Sequence, residues 1–113
     1  MLKSNTSIFD DIIVIDIDIE DLYIQNYYFE FSKLISENEI LKVVFNFENI
    51  DVLTSSDIQS VQKIVDTLHL NGVKSIVCGI NPYSASLIYT FIDKIKFTTT
   101  LDVKGAIDAF SIK

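Results

Sequence analysis

The chain contains no arginine: all nine of its basic residues are lysines, set against sixteen acids. Nucleic-acid and phosphate clamps lean on the arginine fork and on clustered basic patches, so a net charge of −7 argues against both partners. There is one cysteine, Cys78, which excludes an internal disulfide and reads as an inert core thiol because it ends an apolar stretch. The single histidine, His69, has no cysteine or histidine at metal-ligand spacing, which argues against a transition-metal site. Late in a helix, it also lacks the nucleophile and orienting acid that a general base needs. With one proline and three glycines there is no glycine-rich phosphate loop, no nucleophile elbow and no CxxC, and the chain does not read as an autonomous enzyme. No cofactor is implied. No apolar run approaches the roughly 20 residues of a membrane span, and Met1-Leu2-Lys3-Ser4 is not followed by a signal-peptide core. The expectation is a cytoplasmic protein without membrane insertion.

What is present fits one compact domain. A length of 113 residues, 49% of them apolar and 22% charged, suffices for a single core over residues 1–113. Charge is uneven: residues 1–57 carry twelve acids and three lysines, residues 58–113 four acids and six lysines. One acidic face is expected, as a solubilising surface or a complement to a partner.

Residues 7–9 read as a short first strand, and Asp10-Asp11 as a turn into a second over residues 12–19. There Ile13, Ile15, Ile17 and Ile19 alternate onto one face, with Ile12, Val14, Asp16, Asp18 and Glu20 on the other. Carboxylates spaced by two lack the tight glycine turn of a calcium loop, so an exposed strand face is the reading. Residues 22–37 carry Leu22, Tyr27, Phe31, Leu34 and Ile35 at helical spacing. The rings of Tyr23, Tyr27, Tyr28, Phe29 and Phe31 exceed one core-facing stripe and leave open core packing or a partner-facing patch. A strand over 41–47 places Val43, Phe45 and Phe47 on a dry face and Val44, Asn46 and Glu48 on a mixed one. A helix over 55–70 follows, its stripe Ile58, Val61, Ile64, Val65 and Leu68, ended by Asn71-Gly72. Thr54 and Asp57 resemble a capping box. A strand over 74–78, a helix over 82–92 capped by Asn81 with Pro82 first, a short strand over 97–99, and a terminal helix capped by Thr99 or Thr100, with Val103, Ala106, Ile107 and Phe110 inward, complete the chain. The mixed strand faces and sequential order predict a small, mostly parallel sheet of 4–5 strands in an α/β domain, with helices packed mainly on one face and the other open.

Thr54-Ser55-Ser56 stands where a strand-loop opens a helix. One hydroxyl there serves as cap. A second role is a kinase acceptor, because phosphate adds about −1.5 to −2 charges and three acceptor oxygens at a helix end that tolerates anions.

Three segments in order resemble the STAS family of anti-sigma-factor antagonists and sulfate-transporter tails. Residues 44–57 are similar to its VDLSGVxxIDSSG pattern, residues 72–85 to GAxVVLxGIxPxxA, and residues 99–107 to TALDLExGL. Within the family the last two segments most resemble the stressosome scaffold type. The resemblance implies a phospho-acceptor at Ser55, flanked by Ser56 and Thr54, and a partner-binding surface at Asn49, Asp51, Thr54, Asp57 and Asn81. It implies partner switching: a serine kinase of the GHKL type phosphorylates the domain to release a bound protein, and STAS-containing paralogues join it in a homo- or hetero-oligomer like the stressosome. Departures are specific. Thr54 stands where the family has Asp, Asp57 where it has Gly, and Asn46, Glu48 and Asn49 replace the strand Asp and loop Ser-Gly. The alternative within the resemblance is a stand-alone adaptor subunit of an ABC-type lipid or anion transporter.

Overall fold

The computed structural model describes residues 2–90 and 97–111. Ten elements follow in order: β1 (Asn5–Phe9), β2 (Ile12–Asp16), a 3-10 helix (Ile19–Tyr23), α1 (Tyr27–Glu37), β3 (Lys42–Asn46), α2 (Ser55–Leu70), β4 (Lys74–Cys78), α3 (Pro82–Thr90), β5 (Thr98–Thr100) and α4 (Val103–Ser111). The strands form one sheet in the order β1-β2-β3-β4-β5. The two-residue turn Asp10-Asp11 leaves β1 and β2 no choice but to run antiparallel, with Phe9 opposite Ile12. Every later strand is reached through a helix and joins its neighbour in parallel. The expected α/β domain, with a small, mostly parallel sheet, is the fold observed.

Alternation along the strands divides the core in two. Ile13, Ile15, Val43, Phe45 and Val77 point to one face, where Phe31 and Ile35 of α1 and Ile58, Val61, Ile64 and Leu68 of α2 cover them. Phe31 meets Phe45 edge-on, centroids 6.0 Å apart. Each such buried side chain contributes about 1.5–3 kcal/mol, so α2 is held by packing more than by helix propensity. Ile12, Val14, Val44, Ile76 and Cys78 point to the opposite face, which is not open: Ala106 of α4 is buried against it, with Val103, Ile107 and Phe110 around it. Helices lie mainly on one face, as expected, but the first halves of these strands are apolar on both sides, and α4 supplies the missing cover.

Three local expectations change. The second strand stops at Asp16; Asp18 caps the 3-10 helix, its carboxylate accepting from Glu20 N at 3.0 Å. The 16-18-20 carboxylates therefore do not share a strand face, and Glu20 pairs with Lys3. The first helix begins at Tyr27, not residue 22, because Asn26 adopts a left-handed conformation (φ 59) that breaks the helical run. The terminal helix is capped by Asp102, whose Oδ1 accepts from Gly105 N at 2.8 Å, and not by Thr99 or Thr100. The extension of the third helix to residues 91 and 92 lies outside the described residues.

Candidate functional site

Where β3 ends, Phe47 and Leu53 are buried anchors, 1% and 2% exposed, with the polar loop 48–52 looping out between them. Asn46 holds the start of this loop from the buried side of the sheet. Its Oδ1 accepts from Glu48 N at 3.1 Å and from Cys78 Sγ at 3.7 Å, while its Nδ2 donates to Asp16 Oδ1 at 2.8 Å. The amide is buried (7% exposed), and bonds at both of its ends offset the cost of taking it out of water. The far side of the loop is held from α3. Asn81 donates its side-chain amide to the Asp51 carbonyl and accepts from Ser84 N at 2.8 Å as the helix cap. Buried Ser84 places its hydroxyl 3.0 Å from Leu53 N. Asn81 thus acts twice, as the expected cap and as the clamp on the loop.

The loop delivers Thr54 in an extended conformation (φ −81, ψ 166) as the N-cap of α2. The capping box forms in full: Thr54 Oγ1 accepts from Asp57 N at 3.1 Å, and Asp57 Oδ2 accepts from Thr54 N at 2.9 Å. The shorter Asp therefore does the work usually given to Glu. Asp57 is 3% exposed, and its other oxygen accepts from the Tyr23 hydroxyl at 2.5 Å. That carboxylate holds the Tyr23 phenol above the usual tyrosine range.

Ser55 opens α2, half-buried, and Ser56 follows, exposed. Among the described residues neither hydroxyl has a hydrogen bond, while the Ser56 carbonyl accepts from Ser60 Oγ at 3.1 Å. Asn49 and Asp51 are exposed on the loop and, with Asp16, Asp18 and Lys3, border a shallow groove at the carboxyl ends of β2 and β3. The seven residues singled out in the sequence fall into two sets. Thr54, Ser55, Ser56 and Asp57 share the first turn of α2, and Asp51 and Asn81 are bonded to one another, with Asn49 on the outer loop. Sequence reasoning missed Tyr23 and Ser84. The spacing over 22–37 leaves Tyr23 among the rings outside the apolar stripe, whereas it ends the 3-10 helix ahead of α1; the signal for Ser84 is its place three residues after a capping Asn. The aromatic segment is split: Phe31 is in the core, and Phe29 and Tyr23 are exposed at 60% and 67%. Lys63 Nζ sits 4.2 Å over the Tyr28 ring.

Among the described residues no group of three His, Cys, Asp or Glu side chains is arranged to hold a metal ion. His69 is exposed near the end of α2 and Cys78 is buried in β4. No described helix is long and apolar enough to cross a membrane.

No family model matches the sequence, and no curated protein matches it either. Solved structures do. A chain of the stressosome, a signal integration and transduction hub, is 20% identical, with 95% of this chain and 96% of that one covered at a TM-score of 0.73. RsbS from Moorella thermoacetica, in a variant with a serine replaced by glutamate, is 16% identical, with coverage of 96% and 95% and a TM-score of 0.77. The anti-sigma factor antagonist SpoIIAA in its unphosphorylated form is 14% identical, with coverage of 96% and 97% and a TM-score of 0.64. With TM-scores of 0.64 to 0.77 over nearly the full length of each chain, this chain has the fold of RsbS and the anti-sigma factor antagonists, the STAS fold.

Proposed function

We propose that this chain is a non-catalytic regulatory STAS protein of the anti-anti-sigma or stressosome-scaffold type, which binds partner proteins and is switched by phosphorylation of Ser55. The observation that carries the reading is the contrast within one helical turn. Thr54 and Asp57 are tied into the capping box, whereas the Ser55 hydroxyl between them is part-exposed and engages no described residue. A phosphate there meets a helix amino terminus, which favours it. It also places about two further charges beside the Asp57 carboxylate and near exposed Asp51. The helix tolerates the group, and a surface docked over this turn does not. Likeness to a protein solved in an unphosphorylated form, and to one altered by serine-to-glutamate replacement, supports the same role.

The partners are a serine kinase of the GHKL type and STAS-containing paralogues, contacting Asn49, Asp51, Thr54 and the turn around Ser55. Incubation with such a kinase and ATP is expected to add the mass of one phosphate, lost in Ser55→Ala and retained in Ser56→Ala. An unmodified wild type, beside a kinase active on another substrate, overturns the reading. So does copurification with a membrane permease that is indifferent to Ser55→Ala, the behaviour of a transporter adaptor.

A further inference from the structure

Asp21 has no exposed surface, and it lies outside the acceptor turn. Burying a carboxylate is costly unless hydrogen bonds replace its water. Here the chain at Lys3-Ser4 supplies them. Lys3 N donates to Asp21 Oδ1 at 2.8 Å and to Oδ2 at 2.9 Å, and Ser4 donates to Oδ2 twice, from its N at 2.7 Å and from its hydroxyl at 2.6 Å. The same hydroxyl accepts from Asp18 N at 2.9 Å, so one small side chain joins the cap of the 3-10 helix to its buried acid. The Lys3 ammonium turns to Glu20 instead.

Three residues per turn give that helix three faces. Asp18 and Asp21 share the face that meets Ser4, and Ile19 and Leu22 share the face that packs on the core, Leu22 at 3% exposure. Glu20 and Tyr23 share the third. From there the Tyr23 hydroxyl reaches Asp57 Oδ1 at 2.5 Å, and Asp57 closes the capping box with Thr54 around Ser55. The helix has little rigidity of its own: its closing backbone bond, Ile24 N to Asp21 O, is 3.4 Å long, beyond the usual range for an N–H donor. Its orientation toward α2 is therefore set from outside, by Leu22 in the core and by the grip of Asp21 on residues 3 and 4.

We propose that Asp21 is a positioning residue for the acceptor turn: by gripping the chain at Lys3-Ser4 it holds the 3-10 helix in the orientation that brings Tyr23 onto Asp57. Residues 3 and 4 are thereby an input to the turn that carries Ser55. Whatever lifts Lys3-Ser4 off Asp21 frees the 3-10 helix to shift, and the Asp57 carboxylate is then fixed by Thr54 alone. The cap persists, but the turn around Ser55 loses one of its two restraints. The consequence for phosphate transfer rests on the reading of Ser55 as acceptor, whereas the linkage itself does not. The route Ser4–Asp21–Tyr23–Asp57 is contiguous, and coupling along it is an energy that a double-mutant cycle measures.

The test is amide exchange in the full chain, wild type beside Ser4→Ala, Tyr23→Phe and the double variant. The Asp57 amide is the readout, and the Val44 amide, in a strand paired on both sides, measures global opening. Relative to Val44, the Asp57 amide is expected to exchange roughly fivefold faster in either single variant, as the loss of one hydrogen bond's restraint implies. In the double variant it is expected to exchange no faster than in Tyr23→Phe, because the route is already cut. Asp21→Asn, which sets a donor against the Lys3 and Ser4 donors, is expected to exceed Ser4→Ala, and Ser4→Ala decides where that variant does not fold. A merely structural anchor lowers the urea midpoint of Ser4→Ala but leaves Asp57 at the wild-type rate relative to Val44, or adds its full effect in the Tyr23→Phe background; either result overturns the proposal. With a kinase that phosphorylates the wild type, kcat/KM at Ser55 is expected to fall by a similar factor in Ser4→Ala, and an unchanged value overturns the positioning role. A wild type that takes no phosphate overturns the acceptor reading alone, since the exchange cycle decides the linkage without a kinase.

Discussion

The Tyr23 hydroxyl donates to Asp57 Oδ1 at 2.5 Å, tying the 3-10 helix that follows β2 to the first turn of α2. The bond spans the elements that flank the proposed acceptor serine. Tyr23→Phe removes one donor to a carboxylate but leaves the capping box, so a loss of about 1 kcal/mol is expected in urea unfolding. The pH dependence has a definite sign. Because the folded-state phenol titrates above its ordinary value, the folded chain keeps a proton that the unfolded chain loses near pH 10. The contribution is therefore whole below about pH 10 and disappears as pH rises through the Tyr23 value. Stability measured across that alkaline window should fall more steeply for wild type than for Tyr23→Phe.

Two glycines with nearly the same backbone separate conformation from crowding. Gly72 has φ +78 and open space where a side chain would begin, whereas Gly79 has φ +77 and a Cβ there would lie 2.6 Å from Asn46 Oδ1 and 2.8 Å from Glu48 N. Gly72→Ala is expected to cost about 1–2 kcal/mol, the left-handed penalty alone. Gly79→Ala adds the displacement of a buried amide and of the loop it holds, and should cost at least about 1 kcal/mol more. Equal losses in chemical denaturation would show that the Asn46 contact is not rigid.

Most of this fold was legible because its elements are short and their apolar spacing is regular. The α2 stripe, the Thr54–Asp57 box and the Asn71-Gly72 stop all depend on neighbours within one turn, and the helix observed is Ser55–Leu70 as read. What the pattern concealed depends on distant neighbours. Nothing near Val14 or Val44 says that α4, some sixty residues or more later, covers them. Nothing near Tyr23 says that its hydroxyl reaches Asp57. The end of β2 was misjudged for a related reason: Ile17 and Ile19 continue the alternation, but Asp18 prefers to cap a turn. At the site, the position of Ser55 could be read from the motif, whereas the clamp of Asn81 and Ser84 on its loop needed the fold.

Cys78 lies in β4 with no exposed surface, and burial pushes its thiol up to about 11, with Asp102, Asp16 and Glu48 adding in the same direction. The thiolate is the reactive form, so iodoacetamide at about pH 8 should label the folded chain only as fast as it opens, and the urea-unfolded chain at once. The linkage again favours neutral pH: the folded thiol keeps its proton above the unfolded value near 8.5, so its contribution is lost as pH rises from there through about 11. Rapid labelling of the native chain would mean that β4 is accessible.

Stability should separate the cap from the acceptor. Thr54→Ala removes the oxygen that accepts from Asp57 N at 3.1 Å and should cost about 1 kcal/mol, a fall in Tm of roughly 4–6 °C for a domain of this size. Ser55→Asp puts a negative charge one residue later. The helix amino terminus favours it by about 0.3–1 kcal/mol, and repulsion from the Asp57 carboxylate opposes it by a similar amount, so the net change should stay within about 0.5 kcal/mol of zero. A chain whose acceptor turn carries charge without unfolding is one in which charge at Ser55 acts on what docks there. If Ser55→Asp instead lowers Tm as far as Thr54→Ala and loses the helical signal of α2 by circular dichroism, modification would work by melting the helix, and an intact docking face would no longer be the element that is switched.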